Sequence, residues 1–262
     1  MDRRRFLAGI GLFTVGGAAG AASGIPADRA LAAEGPTART ARPHGRSAYT
    51  ATVTFRTEPA ARAVALTIDD GPTSEWTPQV LRLLRRHGAK ATFFRVGVRA
   101  RAAPRLVAQT ADAGHEQGNH TWTHDDLTQH DEAFDRETLE RTHDLLTRLA
   151  GQPPALVRPP WGRIDSVGLA VCAQLRYQVV LWSDHVTGSN ARHDVNQVLR
   201  QASPGSIVLA HDGGTEPDAS LMRQLDRLVG SMTDRGYTFV TASELLAAAP
   251  AQAAPRREQP RG

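Results

Sequence analysis

Two adjacent carboxylates, Asp69 and Asp70, end an apolar run in the segment AVALTIDDGPT over residues 63–73. Neighbours on a strand point to opposite faces, so the two acids cannot share one task. A second stretch, GNHTWTHDDL, spaces His120 and His124 four apart. Read as a helical turn, that spacing predicts both imidazoles on one face, where they can take one metal ion. Two histidine nitrogens and one carboxylate oxygen make a facial donor set with open positions, the pattern of a catalytic metal site. Asp70 is the expected third ligand. Three more polar clusters follow: RPPWG at 158–162, LWSDH at 181–185 and LAHDGG at 209–214. Each has an ordinary reading when taken alone. Asp-Asp-Gly serves turns, paired histidines decorate surfaces, and Arg-Pro-Pro makes a stiff loop. Five such clusters in one chain are better explained by one site.

The elements that must position them alternate along the chain. Strands are predicted at 63–68, 91–96, 115–118, 155–158, 177–183, 206–211 and 237–240. Helices are predicted between them, at 77–87, 103–113, 132–150, 166–175, 193–202, 218–234 and 242–248. Thr77-Pro78 opens the first helix, and Gly114 and Gly151 close two others, following the preference for Pro at helix starts and Gly past helix ends. About seven strands, each followed by a helix, imply a parallel α/β sheet with right-handed crossovers, either open or closed like a barrel. In either form the site belongs at the C-terminal strand ends. Each polar cluster falls there.

A chain of 262 residues with 40% hydrophobic content can bury a large core. Its net charge of +4 is concentrated at the ends, in Arg3, Arg4 and Arg5 and in Arg256, Arg257 and Arg261. The middle carries no basic stripe interleaved with aromatics, which argues against nucleic acid as a partner. The start, MDRRRFLAGIGLFTVGG, fits a twin-arginine signal, with Arg3-Arg4 as the pair and Ala30–Ala32 as a cleavage site. Its apolar part is too weak for a stable membrane span. Residues 1–32 are therefore read as an export signal, 33–61 as linker and lead-in strand, and 248–262 as a flexible tail. The single cysteine, Cys172, can form no intrachain disulfide and is expected to be buried.

Residues 62–247 resemble the polysaccharide deacetylase domain of carbohydrate esterase family four, the nodulation-type chitooligosaccharide deacetylases. TIDDG stands for that family's first motif, HTWTH for the second, RPPWG for the third with tryptophan in place of tyrosine, and IVLAHD for the last. The resemblance implies a distorted (β/α) barrel with about seven parallel strands. It implies that Asp70, His120 and His124 hold one divalent metal, zinc by preference, with cobalt or manganese as alternatives. It also implies Asp69 as general base, Arg158 as the residue that orients it, and His211 as the acid that protonates the departing group. Trp161 would supply a backbone N–H to the oxyanion, with Pro160, Trp76 and Leu209 lining the substrate site. The fourth motif departs from the family: His185 occupies the usual aspartate slot and Asp184 stands one residue early. Asp184, or else Asp212, is the expected partner of His211.

The four tryptophans, Trp76, Trp122, Trp161 and Trp182, all lie beside these motifs. Trp161 and Trp76 are expected as aromatic walls of a sugar-sized cleft, and Trp182 as core. The expectation is an exported monomeric deacetylase acting on N-acetylglucosamine-containing polysaccharide. The alternatives are an O-deacetylase such as an acetylxylan esterase, or a non-catalytic glycan-binding protein on the same fold.

Overall fold

The structure, a computed structural model, describes residues 49–249. The expected export signal at 1–32, the part of the expected 33–61 linker up to residue 48 and the expected 248–262 tail from residue 250 onward lie outside the described residues.

The chain runs β1 (Val53–Thr54), β2 (Ala63–Asp69), α1 (Thr77–Arg86), β3 (Ala91–Arg95), α2 (Gly97–Ala102), α3 (Pro104–Asp112), β4 (Glu116–Asn119), α4 (Glu132–Ala150) and β5 (Leu156–Val157). It continues through α5 (Ser166–Gln174), β6 (Gln178–Val180), β7 (Asp184–His185), α6 (Ala191–Gln201), β8 (Ile207–His211), α7 (Ala219–Asp234), β9 (Thr238–Val240) and α8 (Ala242–Ala247). Every strand pairing is parallel, in the order β1-β6-β5-β4-β3-β2-β8-β7, with β9 also against β2. Parallel strands covered on both faces are apolar throughout, and all seven residues of β2 are buried.

The edge strand β7 and the strand β6 near the opposite edge belong to one stretch of chain. β6 lies against β5, and β7, a few residues later, lies against β8. Between them the Leu181 N–H donates to Thr54 and the Ser183 N–H to Ile207. The segment 178–185 therefore joins β5 to β8 and closes the sheet as a distorted barrel, with β1 attached outside that ring on β6. The predicted strand at 177–183 corresponds to β6 and runs on into β7. β1 is the lead-in strand. Inside the barrel Ala65, Phe94, Leu156, Val180 and Ile207 form one apolar cluster. A larger one, built on Leu66, Ile68, Phe93 and Val208, packs under α1, α6 and α7.

Helix ends follow local chemistry. Asp131 caps α4 by accepting from the Phe134 N–H, and Gly151 ends it in a left-handed conformation. Thr241 and Glu244 form a capping box on α8. The helix expected at 103–113 is α3, preceded by the unanticipated α2. The break falls at Ala103, whose extended φ of −131° suits the residue before Pro104. Register then fixes the rim. Asp69 stands beside Phe94 and His211, Arg95 beside Asn119, and Asn119 beside Val157. The residues that follow these positions, Asp70, His120, Arg158 and Asp212, emerge at one end of the barrel.

Candidate metal centre and catalytic cleft

Asp70 leaves β2 with a left-handed backbone, φ 73°. Its Oδ1 lies 3.4 Å from His120 Nε2 and 3.1 Å from His124 Nε2. That oxygen is buried and accepts no hydrogen bond. His120 is 2% exposed, and its Nδ1 donates to the Arg158 carbonyl at 2.6 Å. The bond fixes the tautomer that leaves Nε2 as a lone-pair donor, as metal-binding imidazoles require. Asp70, His120 and His124 each offer one ligand atom, all within 4.8 Å of one another. Tetrahedral ligands at about 2.1 Å from a zinc ion stand about 3.4 Å apart, so the donor set fits such a cation. Burial works against the Asp70 charge, but the two imidazoles outweigh it and hold this carboxyl far below the usual range. His120 moves the opposite way: burial lowers its pKa, and Asp69 and Asp70 more than reverse that.

The two histidines do not lie on a helix, contrary to the expectation from their spacing. They belong to the irregular loop after β4. They converge because Thr121 and His124 both take left-handed backbones, φ 63° and 67°. Side chains hold that path. Asn119 Oδ1 accepts from the Thr121 N–H at 3.0 Å, Thr121 Oγ1 accepts from the Asp125 N–H at 2.7 Å, and Thr138 Oγ1 accepts from the Trp122 N–H at 2.8 Å. Sequence reasoning passed over Asn119, Asp125 and Thr138. Asparagine before and aspartate after such a histidine pair are turn-forming residues and could have signalled a loop.

Asp69, 3% exposed, ends β2 facing the barrel axis. Its Oδ1 accepts from Arg158 Nη1 at 2.8 Å, and its Oδ2 stands 3.9 Å from His120 Nε2. Arg158 is wholly buried, and its other hydrogens go to Thr67 Oγ1 and to the carbonyls of Val180 and Leu181. Burial lowers the guanidinium pKa, and Asp69 opposes that shift. The adjacent acids thus face different partners: Asp70 the imidazoles, Asp69 the arginine.

Across the rim, His211 ends β8 with its Nδ1 buried and without a hydrogen bond. Neither expected partner meets it. Asp184 faces out of the barrel, its oxygens accepting from Ser183 Oγ and Gln201 Nε2. The one-residue shift in the fourth motif has turned this carboxylate to the other face. His185 instead shares Leu209's register on the neighbouring strand. Asp212 is bonded by Arg95 Nη1 at 2.9 Å and Thr77 Oγ1 at 2.6 Å.

The aromatic walls also divide. Trp161 is 59% exposed, in the turn Pro160–Gly162 with φ 56°, and its ring meets that of His124 at 4.3 Å. Pro160 beside it is buried, as is Leu209 on β8. Trp76 is not an open wall. It packs against the large core cluster at the start of α1. Trp182, as expected, packs on the barrel interior. Cys172 is buried and unpaired.

A model described as polysaccharide deacetylase matches residues 56–180, which takes in the paired aspartates, both histidines and Arg158 but not His211. A peptidoglycan-N-acetylglucosamine deacetylase of Bacillus cereus is 38% identical over 181 residues, covering 68% of this chain and 66% of the relative. A second of the same name from Bacillus cereus is 37% identical over 200 residues, covering 74% of this chain and 92% of the relative. The crystal structure of the Bc1960 peptidoglycan N-acetylglucosamine deacetylase superposes with a TM-score of 0.69 at 33% identity, covering 74% of this chain and 92% of that one.

Proposed function

The chain belongs to the polysaccharide deacetylase family, and on that premise we propose that it is an exported, metal-dependent hydrolase that removes acetyl groups from N-acetylglucosamine units of peptidoglycan or related glycans. The observation that carries the reading is the Asp70 carboxylate oxygen, buried, free of hydrogen bonds and aimed at two imidazole nitrogens 3.1 and 3.4 Å away. The choice of polymer follows the names of the two Bacillus cereus relatives. Export rests on Arg3-Arg4 and the segment after them. Among the described residues, no helix is long and apolar enough to cross a membrane. Residues 62–247 form the catalytic domain in this reading.

Asp70, His120 and His124 would hold one divalent cation, zinc by preference. When bound, it polarises an acetyl carbonyl and acidifies water towards a pKa of about 7. Asp69 accepts the proton of the attacking water on Oδ2, the oxygen that Arg158 leaves free. Arg158 holds Oδ1, so the base keeps one orientation. The Trp161 N–H stands at the cleft to bind the oxyanion that develops as the water oxygen adds to the carbonyl carbon. His211 gives a proton to the departing amine as the carbon–nitrogen bond breaks, and acetate leaves. With Nδ1 sealed inside, Nε2 is the nitrogen left for that transfer. The Trp161 ring offers an apolar face to a sugar beside His124.

The deciding experiment measures acetate release from chitooligosaccharides, peptidoglycan and acetylated xylan with zinc, cobalt or manganese and again with a chelator. Metal-dependent release from the first two is expected. Release from xylan alone would make the protein an O-deacetylase. No release from any of them would leave a glycan-binding protein on this fold.

A further inference from the structure

We infer that Arg99 is a positioning residue for the metal ligand Asp70, an inference that rests on the metal-site reading above. The turn after β2 carries a non-glycine residue at φ 73°, a conformation that costs free energy and persists only where its surroundings enforce it. The carbonyls of three successive residues show the enforcement. The Asp69 carbonyl accepts from the Asp212 N–H at 3.1 Å, and the Gly71 carbonyl accepts from the Val96 N–H at 3.2 Å. Between them the Asp70 carbonyl accepts from Arg99 Nη1 at 2.6 Å. Two of the three donors are backbone groups fixed by the sheet. The middle one is a side chain reaching from α2, and it acts on the ligand residue itself.

The slot that admits this guanidinium exists because residue 213 is glycine. A Cβ there would stand 2.5 Å from the Asp70 carbonyl oxygen and 2.8 Å from Arg99 Nη1. Gly214 completes the fit. At φ 71°, a Cβ on it would stand 2.6 Å from Asp70 Oδ2, so glycine here leaves room for the second carboxylate oxygen while Oδ1 faces the histidines. Arg99 therefore holds Asp70 by its main chain, and the Gly213-Gly214 pair leaves the room that this arrangement needs. Loss of a group that orients a metal ligand typically costs about 10–100-fold in metal affinity.

The test uses the full chain stripped of metal, titrated with Zn2+ and separately with Co2+ against a chromophoric chelator. Arg99→Met, which keeps the stem and removes the donors, is expected to bind Zn2+ on the order of tenfold more weakly. Its metal-free thermal melt should match the wild type. Arg99→Lys, which keeps a cationic donor, should recover most of the loss. Arg105→Met, an exposed arginine on α3, should bind as the wild type does. Equal affinity in Arg99→Met and wild type overturns the inference and leaves the metal site standing. Weaker binding accompanied by a lower metal-free melt, with no rescue by lysine, reduces Arg99 to a structural role and overturns it too. A wild-type chain that binds neither ion overturns the metal site as well, which separates the two failures.

Discussion

The barrel rim holds two buried arginine–aspartate pairs, and they differ in one respect. Arg158 meets Asp69 at 2.8 Å, and Arg95 meets Asp212 at 2.9 Å. Both arginines are fully enclosed and both have further hydrogen-bond acceptors, Thr67 and two carbonyls for Arg158, Gln117 and Thr110 for Arg95. The aspartates are treated differently. Asp212 is wholly buried, its Oδ2 shared by Arg95 and Thr77 and its Oδ1 also within reach of Arg95 at 3.2 Å. Asp69 has Oδ1 taken and Oδ2 turned towards His120. A saturated carboxylate can only hold structure together. One with a spare oxygen at a cleft can still accept a proton.

The sealed pair nonetheless serves the open one. Gly71 lies so close over Asp212 that a Cβ would stand 1.9 Å from its Oδ1 and 2.5 Å from Arg95 Nη1. The Asp212 main-chain N–H holds the Asp69 carbonyl. One pair sits under the turn that carries Asp69 and Asp70, and the other faces the cleft.

Substitution of one carboxylate in each pair separates these roles. Asp69→Asn keeps an acceptor for Arg158 but loses the base. Turnover is expected to fall by about 10²–10⁴-fold, while Zn2+ binding measured by chelator competition stays. Full activity in that variant would refute the base assignment. His120→Ala is expected to abolish Zn2+ binding in the same assay, because the remaining two donors no longer make a facial set. Asp212→Ala leaves Arg95 buried without a counter-charge, at a cost of about 3–5 kcal/mol. For a domain of this size that is a fall of roughly 10 °C in melting temperature, read by circular dichroism. An unchanged melt would show that the pair is not the keystone its position suggests.

A sharper contrast comes from replacing each pair whole. Buried ion pairs exchanged for apolar residues of similar volume are often neutral in stability. Arg95→Met with Asp212→Leu is expected to regain most of the melting temperature lost in Asp212→Ala. Arg158→Met with Asp69→Leu is expected to stay inactive however well it folds. Recovery of acetate release in the second double variant would erase the distinction between the pairs.

Much of this was legible in the sequence, for a physical reason. Parallel strands are apolar along their whole length, so their ends stand out wherever polar residues begin, and β2, β3, β8 and β9 were found in that way. The short β5 and the closing segment through β6 and β7 gave weaker signals, since two- and three-residue ladders leave little pattern. Asp70, His120 and His124 were named from residue type and spacing, Asp69 and Arg158 from the family resemblance, and the structure brings all five together. What failed was local conformation. The four-residue spacing of the histidines suggested a helix, whereas two left-handed residues and three side-chain bonds do the work. Arg95 and Arg99 were invisible because their partners, Asp212 and a main-chain carbonyl, lie far away in sequence. Asp184 was taken for a cleft residue, and strand parity put it on the outer face.

A third buried carboxylate extends the comparison, because no arginine bonds it. Asp135 lies on α4 with no solvent exposure, and neither of its oxygens has a hydrogen-bond partner. Its Oδ2 would stand 3.4 Å from a Cβ on Gly168 of α5. Burial pushes its pKa up to about 6, and the negative charges of Asp165, Asp131 and Asp125 add to the rise against the opposing His130. On the facing helix, the Cys172 thiol is pushed up to about 12, first by burial and then by Asp135. The folded chain therefore binds the Asp135 proton more tightly than the unfolded chain, whose carboxyl titrates near 3.8. The stability that this proton contributes is fully present below about pH 4. It is lost as pH rises from there through about 6. Asp135→Asn removes the ionisation, so its thermal melt should match the wild type at low pH and exceed it by a growing margin up to neutrality. A constant difference across that range would mean that Asp135 has found a partner for its charge, which would place it with Asp69 and Asp212 rather than apart from them.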